Sequence, residues 1–266
     1  MHQLLTIGGG IAFIFAMSVL GAATVFIFRK EVPSYFKKVF LGFASGVMLA
    51  AAVWSLLLPA FDDAKALGIS GWIPASIGLI LGACFMLALD YLLPMLQSKS
   101  RKKKSGTSES ENSFLFIMAV ILHDIPEGMA VGLSFAFAAQ NNSTVAMSAA
   151  IALAIGVGIQ NFPEAAAISL PLRQQGKTAK KAFCTAVLTG TVEPIFSIMA
   201  VIIGTVLASA INATMPWLLA FAAGAILYVV LEELVPESHE DKKSHLGTLS
   251  ALAGFLLMMI LDSVLG

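Results

Sequence analysis

Long apolar runs separated by short polar clusters set the pattern of this chain. Eight runs stand out, at roughly 4–28, 39–60, 72–97, 114–139, 145–171, 182–209, 215–236 and 246–265. Each holds about 20 or more mostly apolar residues, enough to cross a bilayer core as a helix. The pattern therefore predicts an all-α polytopic membrane protein with eight transmembrane helices, forming a single domain over 1–266. The intervals carry residues that end helices: Pro33, Gly68 and Gly71, Asn141-Asn142, Gly176, Asn212 and the charged stretch 237–245. The Ser- and Lys-rich stretch 98–113 reads as a flexible cytoplasmic loop. The first run lacks the layout of a cleaved leader and is read as a retained helix.

The polar positions orient these spans. Arg29, Lys30, Lys37 and Lys38 follow the first run, and Lys99, Arg101, Lys102, Lys103 and Lys104 follow the third. Arg173, Lys177, Lys180 and Lys181 follow the fifth, and Lys242 and Lys243 follow the seventh. Of the 16 Lys and Arg residues, only Lys65 falls on the other side. Basic residues concentrate in cytoplasmic loops, so both termini are expected outside. Removing one span would scramble this split, which makes it a check on the count. Compact loops point to a bacterial plasma membrane.

Composition agrees: 58% of residues are hydrophobic and 12% charged, with a mean hydropathy of +0.88, against about 25% charged in soluble domains. The formal net charge of zero argues neither way about nucleic acid, and membrane lipid rather than nucleic acid is the expected partner. Cys84 and Cys184 lie in apolar runs without a CxxC, so no disulfide framework or zinc knuckle is indicated. They read as small buried hydrophobes.

Several acids lie deep in the apolar runs: Asp124 and Glu127 in the fourth, Glu164 in the fifth and Glu193 in the sixth. Each costs about 2.5–3.5 kcal/mol at the bilayer centre, on the order of 10 kcal/mol for the set, and no Lys or Arg lies deep in a span to offset it. Protons in interhelical hydrogen bonds or a bound cation would neutralise them. Intramembrane acids are functional candidates by default.

Spacing sharpens that expectation. The fourth run reads His123-Asp124-Ile125-Pro126-Glu127-Gly128 and the fifth Gln160-Asn161-Phe162-Pro163-Glu164-Ala165. Positions i, i+3 and i+4 share a helix face, so His123, Asp124 and Glu127 project together, as do Gln160, Asn161 and Glu164. Each proline leaves a carbonyl one turn earlier without its amide partner, at Leu122 and Ile159. Glu193-Pro194 does the same for Gly190. Freed backbone of this kind is tolerated where it lines a cavity. Consecutive spans run oppositely, so the two motif copies form an inverted repeat. A second, weaker repeat pairs Phe43-Ala44-Ser45-Gly46-Val47-Met48-Leu49 and Pro59 with Phe221-Ala222-Ala223-Gly224-Ala225-Ile226-Leu227 and Pro236. Helices 1–3 and 6–8 are therefore expected to be inverted mates around helices 4 and 5, with the substrate site at the repeat interface.

Carboxylates with one imidazole suit a borderline divalent metal such as zinc, whereas calcium favours all-oxygen sites. His123 tilts the choice toward zinc, iron or manganese, and Met48 could lend a thioether. At the mouths, Asp62 and Asp63 follow the second span. Glu232, Glu233, Glu237, His239, Glu240, Asp241 and His245 surround the inner end of the seventh, a candidate metal exit or sensing cluster.

On HDIPEG at 123–128 and QNFPEA at 160–165, with Glu193-Pro194 and SGVMLA around Met48, the chain resembles the ZIP (Zrt/Irt-like) metal transporters, in particular the GufA-like branch. The resemblance covers essentially the whole chain. It implies a binuclear metal centre from helices 4 and 5, a bridging acid from helix 6, transport toward the cytosol and a homodimer. The site residues it implies are Met48, His123, Asp124, Glu127, Gln160, Asn161, Glu164 and Glu193. Asp124 stands where the family usually has Asn, helix 5 opens Gln-Asn rather than His-Glu, and Ala165 replaces a frequent Gly. The loop between helices 3 and 4 is lysine-rich and lacks the histidine cluster of many members.

The expected function is thus carriage of zinc, with iron, manganese or cadmium as further substrates; the metal is cargo and no cofactor is expected. The rivals are a sodium/calcium-type exchanger, which also uses Pro-Glu pairs in inverted repeats, a metal-sensing receptor without flux, and an intramembrane metal hydrolase. The chain has neither HExxH nor GxSxG, so no enzymatic activity is expected.

Overall fold

Eight helices account for the eight apolar runs. The computed structural model describes residues 2–28, 34–100, 108–239 and 244–265. We label the helices α1 (His2–Ile27), α2 (34–66), α3 (Trp72–Ser100), α4 (Ser108–Gln140), α5 (Thr144–Gln174), α6 (Ala179–Val206), α7 (208–238) and α8 (Leu246–Leu265). Among the described residues, eight helices are long and apolar enough to cross a membrane. Of the flexible stretch expected at 98–113, α3 extends to Ser100, α4 begins at Ser108, and residues 101–107 lie outside the described set. Arg29, Lys30, Pro33, Arg101, Lys102, Lys103, Lys104, Glu240, Asp241, Lys242 and Lys243 also lie outside it.

Local chemistry sets the helix ends. Ser143 caps α5 by accepting from the Ala146 amide at 3.1 Å, and Thr178 caps α6 by accepting from Lys181 at 3.2 Å. Such caps satisfy first-turn amides that would otherwise lack partners. Gly68 (φ 75°) and Gly176 (φ 88°) make the left-handed turns after α2 and α5.

Two departures from simple helices were not visible in the sequence pattern. Residues Ala52–Leu57 of α2 and Val230–Leu234 of α7 form π turns, closed by the Leu58 amide bonding to Val53 and the Val235 amide bonding to Val230. Each stands immediately before a proline, Pro59 or Pro236. A proline ring clashes with the carbonyl one turn earlier and offers it no donor. Widening the preceding turn relieves both problems without breaking the helix. By contrast α6 does break, at Gly190-Thr191, into segments Ala179–Thr189 and Val192–Val206, so Glu193 opens a fresh first turn.

The helices pack in four tight pairs: α1 on α5, α4 on α6, α2 on α8, and α3 on α7. In lipid, where burying apolar surface gains little, close backbone approach at small residues drives such pairing. The pairs show the inverted repeat directly. In α2–α8, Gly46 abuts the Ala251 carbonyl and Gly254 the Phe43 carbonyl. In α3–α7, Gly224 abuts the Leu79 carbonyl and Gly82 the Phe221 carbonyl. Exchanging Gly46 for Gly224, Phe43 for Phe221, Leu79 for Ala251 and Gly82 for Gly254 turns one crossing into the other. The same exchange carries α4–α6 onto α5–α1. Two four-helix groups result, α1/α4/α5/α6 and α2/α3/α7/α8, meeting where α2 and α8 touch α5 and where α7 touches α4.

The lipid side is apolar and open: Ile77, Ile80 and Leu81 of α3, Ile195 and Ile202 of α6, and Leu249, Leu252 and Leu256 of α8 are exposed. Cys84 and Cys184 lie on this exposed surface rather than in the core. The expectation of buried cysteines fails because membrane helices point apolar side chains outward as readily as inward, and an apolar run does not reveal which.

Candidate metal centre

The two motif copies meet face to face between α4 and α5. His123, Asp124, Glu127, Gln160, Asn161, Glu164, Glu193 and Met48 are all buried, none more than 7% exposed. The first residue of each copy bonds to the glutamate of the other. His123 Nε2 bonds to Glu164 Oε1, and Gln160 Nε2 donates to Glu127 Oε2 at 2.7 Å. The repeat thus extends from backbone to side chains. Asn161 Nδ2 donates to Glu193 Oε2, which ties α6 to α5. Gly128 lets α6 approach so closely that a Cβ there would strike the Glu193 carbonyl, and Ser197 Oγ donates to the Gly128 carbonyl at 2.9 Å. Asp124 Oδ1 lies 3.6 Å from His123 Nε2.

The donor set fits a divalent cation. Ligand atoms of His123, Asp124 and Glu164 all lie within 4.8 Å of one another. Several buried polar atoms beside them lack hydrogen-bond partners: His123 Nδ1, Glu127 Oε1, Gln160 Oε1 and Glu193 Oε1. Buried polar atoms are ordinarily paired, and each exception requires a reason. Three of these are oxygens, and the fourth is an imidazole nitrogen able to coordinate. Their hydrogen bonds satisfy only part of each group, leaving lone pairs that a cation would take.

Two small cavities flank the carboxylates. One, of about 10 Å³, is lined by Met48, Glu127, Gln160 and Ile226 among others. The second, also about 10 Å³, is lined by Asp124, Asn161, Glu164 and Glu193 on the side of α1 and α6. Each has room for roughly one water-sized body. Seven of the eight residues singled out by sequence line these two spaces, and His123 joins them through its bond to Glu164.

Polar residues continue toward both ends of the helices. At the end carrying Asp62 and Asp63, a vestibule of about 440 Å³ is lined by both acids together with Ser55, Met215 and Asp262. Ser55 Oγ donates to Asp262 at 2.8 Å. Toward the opposite end, Glu233 reaches inward from the second π turn, with Oε2 4.0 Å from His123 Nδ1. Beyond it, Tyr228 donates to Asp90 at 2.8 Å, and Lys37 pairs with Glu237 at 3.2 Å. His239 is bonded to the Val235 carbonyl, Ser238 and Thr248. These bonds hold the end of α7.

Sequence reasoning placed Glu233 only in a mouth cluster, and it did not single out Asp90 or Asp262 at all. Neither acid belongs to a local motif. The signal available was the inverted register: the exchange that puts Gly82 on Gly254 and Leu79 on Ala251 also puts Asp90 on Asp262.

Comparison with known proteins agrees with this geometry. The ZIP Zinc transporter family profile matches residues 108–262. The chain is 34% identical over 216 residues to the zinc transporter GufA of Myxococcus xanthus, covering 80% of this chain and 81% of the relative. It is 34% identical over 255 residues to the zinc transporter ZIPB of Bordetella bronchiseptica, covering 95% and 79%. It is 32% identical to human zinc transporter ZIP11 over 335 residues, covering 97% and 96%.

Proposed function

The chain belongs to the ZIP zinc transporter family, in its GufA-like branch, and from that premise we propose how this sequence moves its cargo. It is an integral membrane transporter of divalent metal, zinc foremost, and not an enzyme. In our reading Zn²⁺ enters from the vestibule bearing Asp62, Asp63 and Asp262 and pauses at the paired motifs. It leaves past Glu233 toward the cytosol. The 15-to-1 split of basic residues supports reading the acidic vestibule and both termini as outside.

The carrying observation is the set of unpartnered lone pairs on Glu127, Gln160, Glu193 and His123, all within a bilayer-spanning bundle. Two ions fit the two cavities. Met48, His123, Glu127, Gln160 and Glu164 would hold the first. Asp124, Asn161, Glu164 and Glu193, with Glu127, would hold the second. Glu127 lines the first cavity and Glu164 the second, and in this reading both carboxylates bridge the two ions. Bridging carboxylates reduce the repulsion between two dications, and anionic ligands repay their own burial only when a cation is present. The hydroxyl-held acids at each mouth give the ion partial ligands for shedding and regaining water. The imidazole and thioether favour zinc, cadmium and iron over calcium. A bacterial plasma membrane location and a homodimer form part of the same proposal.

Radioactive zinc uptake into proteoliposomes, without a sodium gradient, tests this reading. Saturable flux is expected in the wild type and is lost in Glu127→Ala and Glu164→Ala, with Fe²⁺, Mn²⁺ and Cd²⁺ competing and Ca²⁺ not. A strict sodium requirement would turn the reading toward an exchanger. Zinc binding without flux would turn it toward a sensor.

A further inference from the structure

Among the described residues, the acids that run from the central site toward the inner face lead to a lysine. Glu233 and Glu237 are four residues apart on α7 and share a helix face. Glu233 faces His123 of the site, and Glu237 holds Lys37 Nζ of α2 at 3.2 Å. Both partners are about one-third exposed, at 36% and 33%, so the pair sits at the threshold between protein interior and solvent. A second Lys–carboxylate pair, Lys65–Asp62, is a local contact within one exposed turn of α2. Lys37–Glu237 instead joins the two inverted mates α2 and α7.

The outer mouth makes a useful contrast. The register that maps Phe43 on Phe221 and Gly46 on Gly224 maps Lys37 on Met215, and Met215 lines the open vestibule beside Asp62, Asp63 and Asp262. The same location in the fold carries a neutral thioether beside the outer vestibule and an ammonium at the inner end. A lysine ammonium is a compact charge on a flexible four-carbon stem, able to swing away without rearranging the backbone.

We propose that Lys37 is a tethered cation that closes the inner end of the carboxylate route, and that each departing metal ion displaces it from Glu237. This rests on the reading that metal leaves past Glu233. The ammonium occupies the last carboxylate until a dication arrives from Glu233, and it returns once the ion is hydrated in the cytosol. Lys37 is thus a gating residue, acting through Glu237 on the metal. The pair also holds water-borne cations off the acids from the cytosolic side.

The test is zinc entry into right-side-out membrane vesicles at saturating external zinc, read by a trapped fluorescent chelator. An ion pair exposed to this degree shifts an equilibrium roughly two- to fivefold, so Lys37→Met is expected to raise the maximal rate by about that factor. Glu237→Gln, which frees the ammonium beside Glu233, is expected to lower it. Lys37→Arg, keeping a cation, stays near wild type. The exchanged pair Lys37→Glu/Glu237→Lys, which moves the cation one turn from Glu233, remains slow. A pair that merely ties α2 to α7 would behave otherwise, with both single neutralisations shifting the rate alike and the exchanged pair restoring it. That outcome, or an unchanged rate in Lys37→Met, overturns the proposal. If Lys37→Met does not reach the membrane, Glu237→Gln and the exchanged pair decide the question. Absence of zinc entry in the wild type would instead strike at the transport reading itself.

Discussion

Neutralising Glu127 should make the metal-free protein more stable while weakening its response to zinc. Glu127 is 1% exposed, one oxygen accepts from Gln160 at 2.7 Å, and the other has no partner. In Glu127→Gln the amide oxygen can still accept from Gln160, and the new NH₂ replaces the unpaired oxygen. The nearby Gln160 Oε1, itself unpartnered, becomes available to it. An unsatisfied buried acceptor costs about 1–3 kcal/mol, and a charged one in the bilayer about 3 kcal/mol. Relief of that cost should raise metal-free stability by about 1–3 kcal/mol. At roughly 2–4 °C per kcal/mol for a chain of this size, the midpoint should rise by about 2–12 °C. With zinc at a hundred times its Kd, the wild type gains about 2.7 kcal/mol from binding. Loss of an outer-shell partner already weakens metal binding about 10–100-fold, and loss of a charged ligand should do at least as much. About half of the zinc-dependent rise should therefore vanish at a tenfold loss, and most of it at a hundredfold loss. Thermal unfolding in detergent, with zinc and with chelator, measures both terms. A Glu127→Gln protein that melts lower without metal, yet keeps the wild-type zinc increment, would refute the claim that this carboxylate is held ready for a cation.

Other parts of the structure make equally direct statements. Gly46→Val should push α8 from α2, because a Cβ there meets the Ala251 backbone. A loss of about 1–3 kcal/mol or more is expected in the same melting assay, while Gly8→Ala, with open space around it, should change little. Asp262→Asn should raise the zinc KM several-fold with little change in maximal flux, since it lines the vestibule and not the central site; an effect confined to the maximal rate would count against an entry role. Met48→Leu preserves volume but removes the thioether, and should lower the preference for cadmium over zinc in competition uptake, cadmium being the softer ion.

Much of the centre was legible because its information is local. A six-residue pattern used twice fixes which side chains share a face, and opposite span directions make those faces meet. His123, Asp124, Glu127, Gln160, Asn161 and Glu164 follow from that alone, and Glu193 from being an acid beside a proline in an apolar run. What stayed hidden is carried by long-range pairing. Asp262 meets Ser55 across 207 residues and Asp90 meets Tyr228 across 138, and no periodicity announces either pair. The π turns escaped for another reason. Proline signals that a helix must adjust, but whether it kinks, breaks as at Gly190-Thr191, or widens as before Pro59 depends on what is packed against it. Glu233 was visible as a charge, yet only the widened turn before Pro236 brings it to face His123.

The four tight helix pairs have a consequence for how the protein is made. None of the first three helices finds its main partner among the other two: α1 packs on α5, α2 on α8 and α3 on α7. A ribosome adds about 5–20 residues per second, so α2 waits on the order of ten seconds or more in the membrane before α8 is synthesised. During that time Gly46 and its neighbours present an uncovered backbone groove to lipid and to any other nascent helix. The chain cannot be assembled half by half. Its quality is decided only when the last helix arrives, and a protein truncated after α7 would leave α2 without the surface it was shaped to meet.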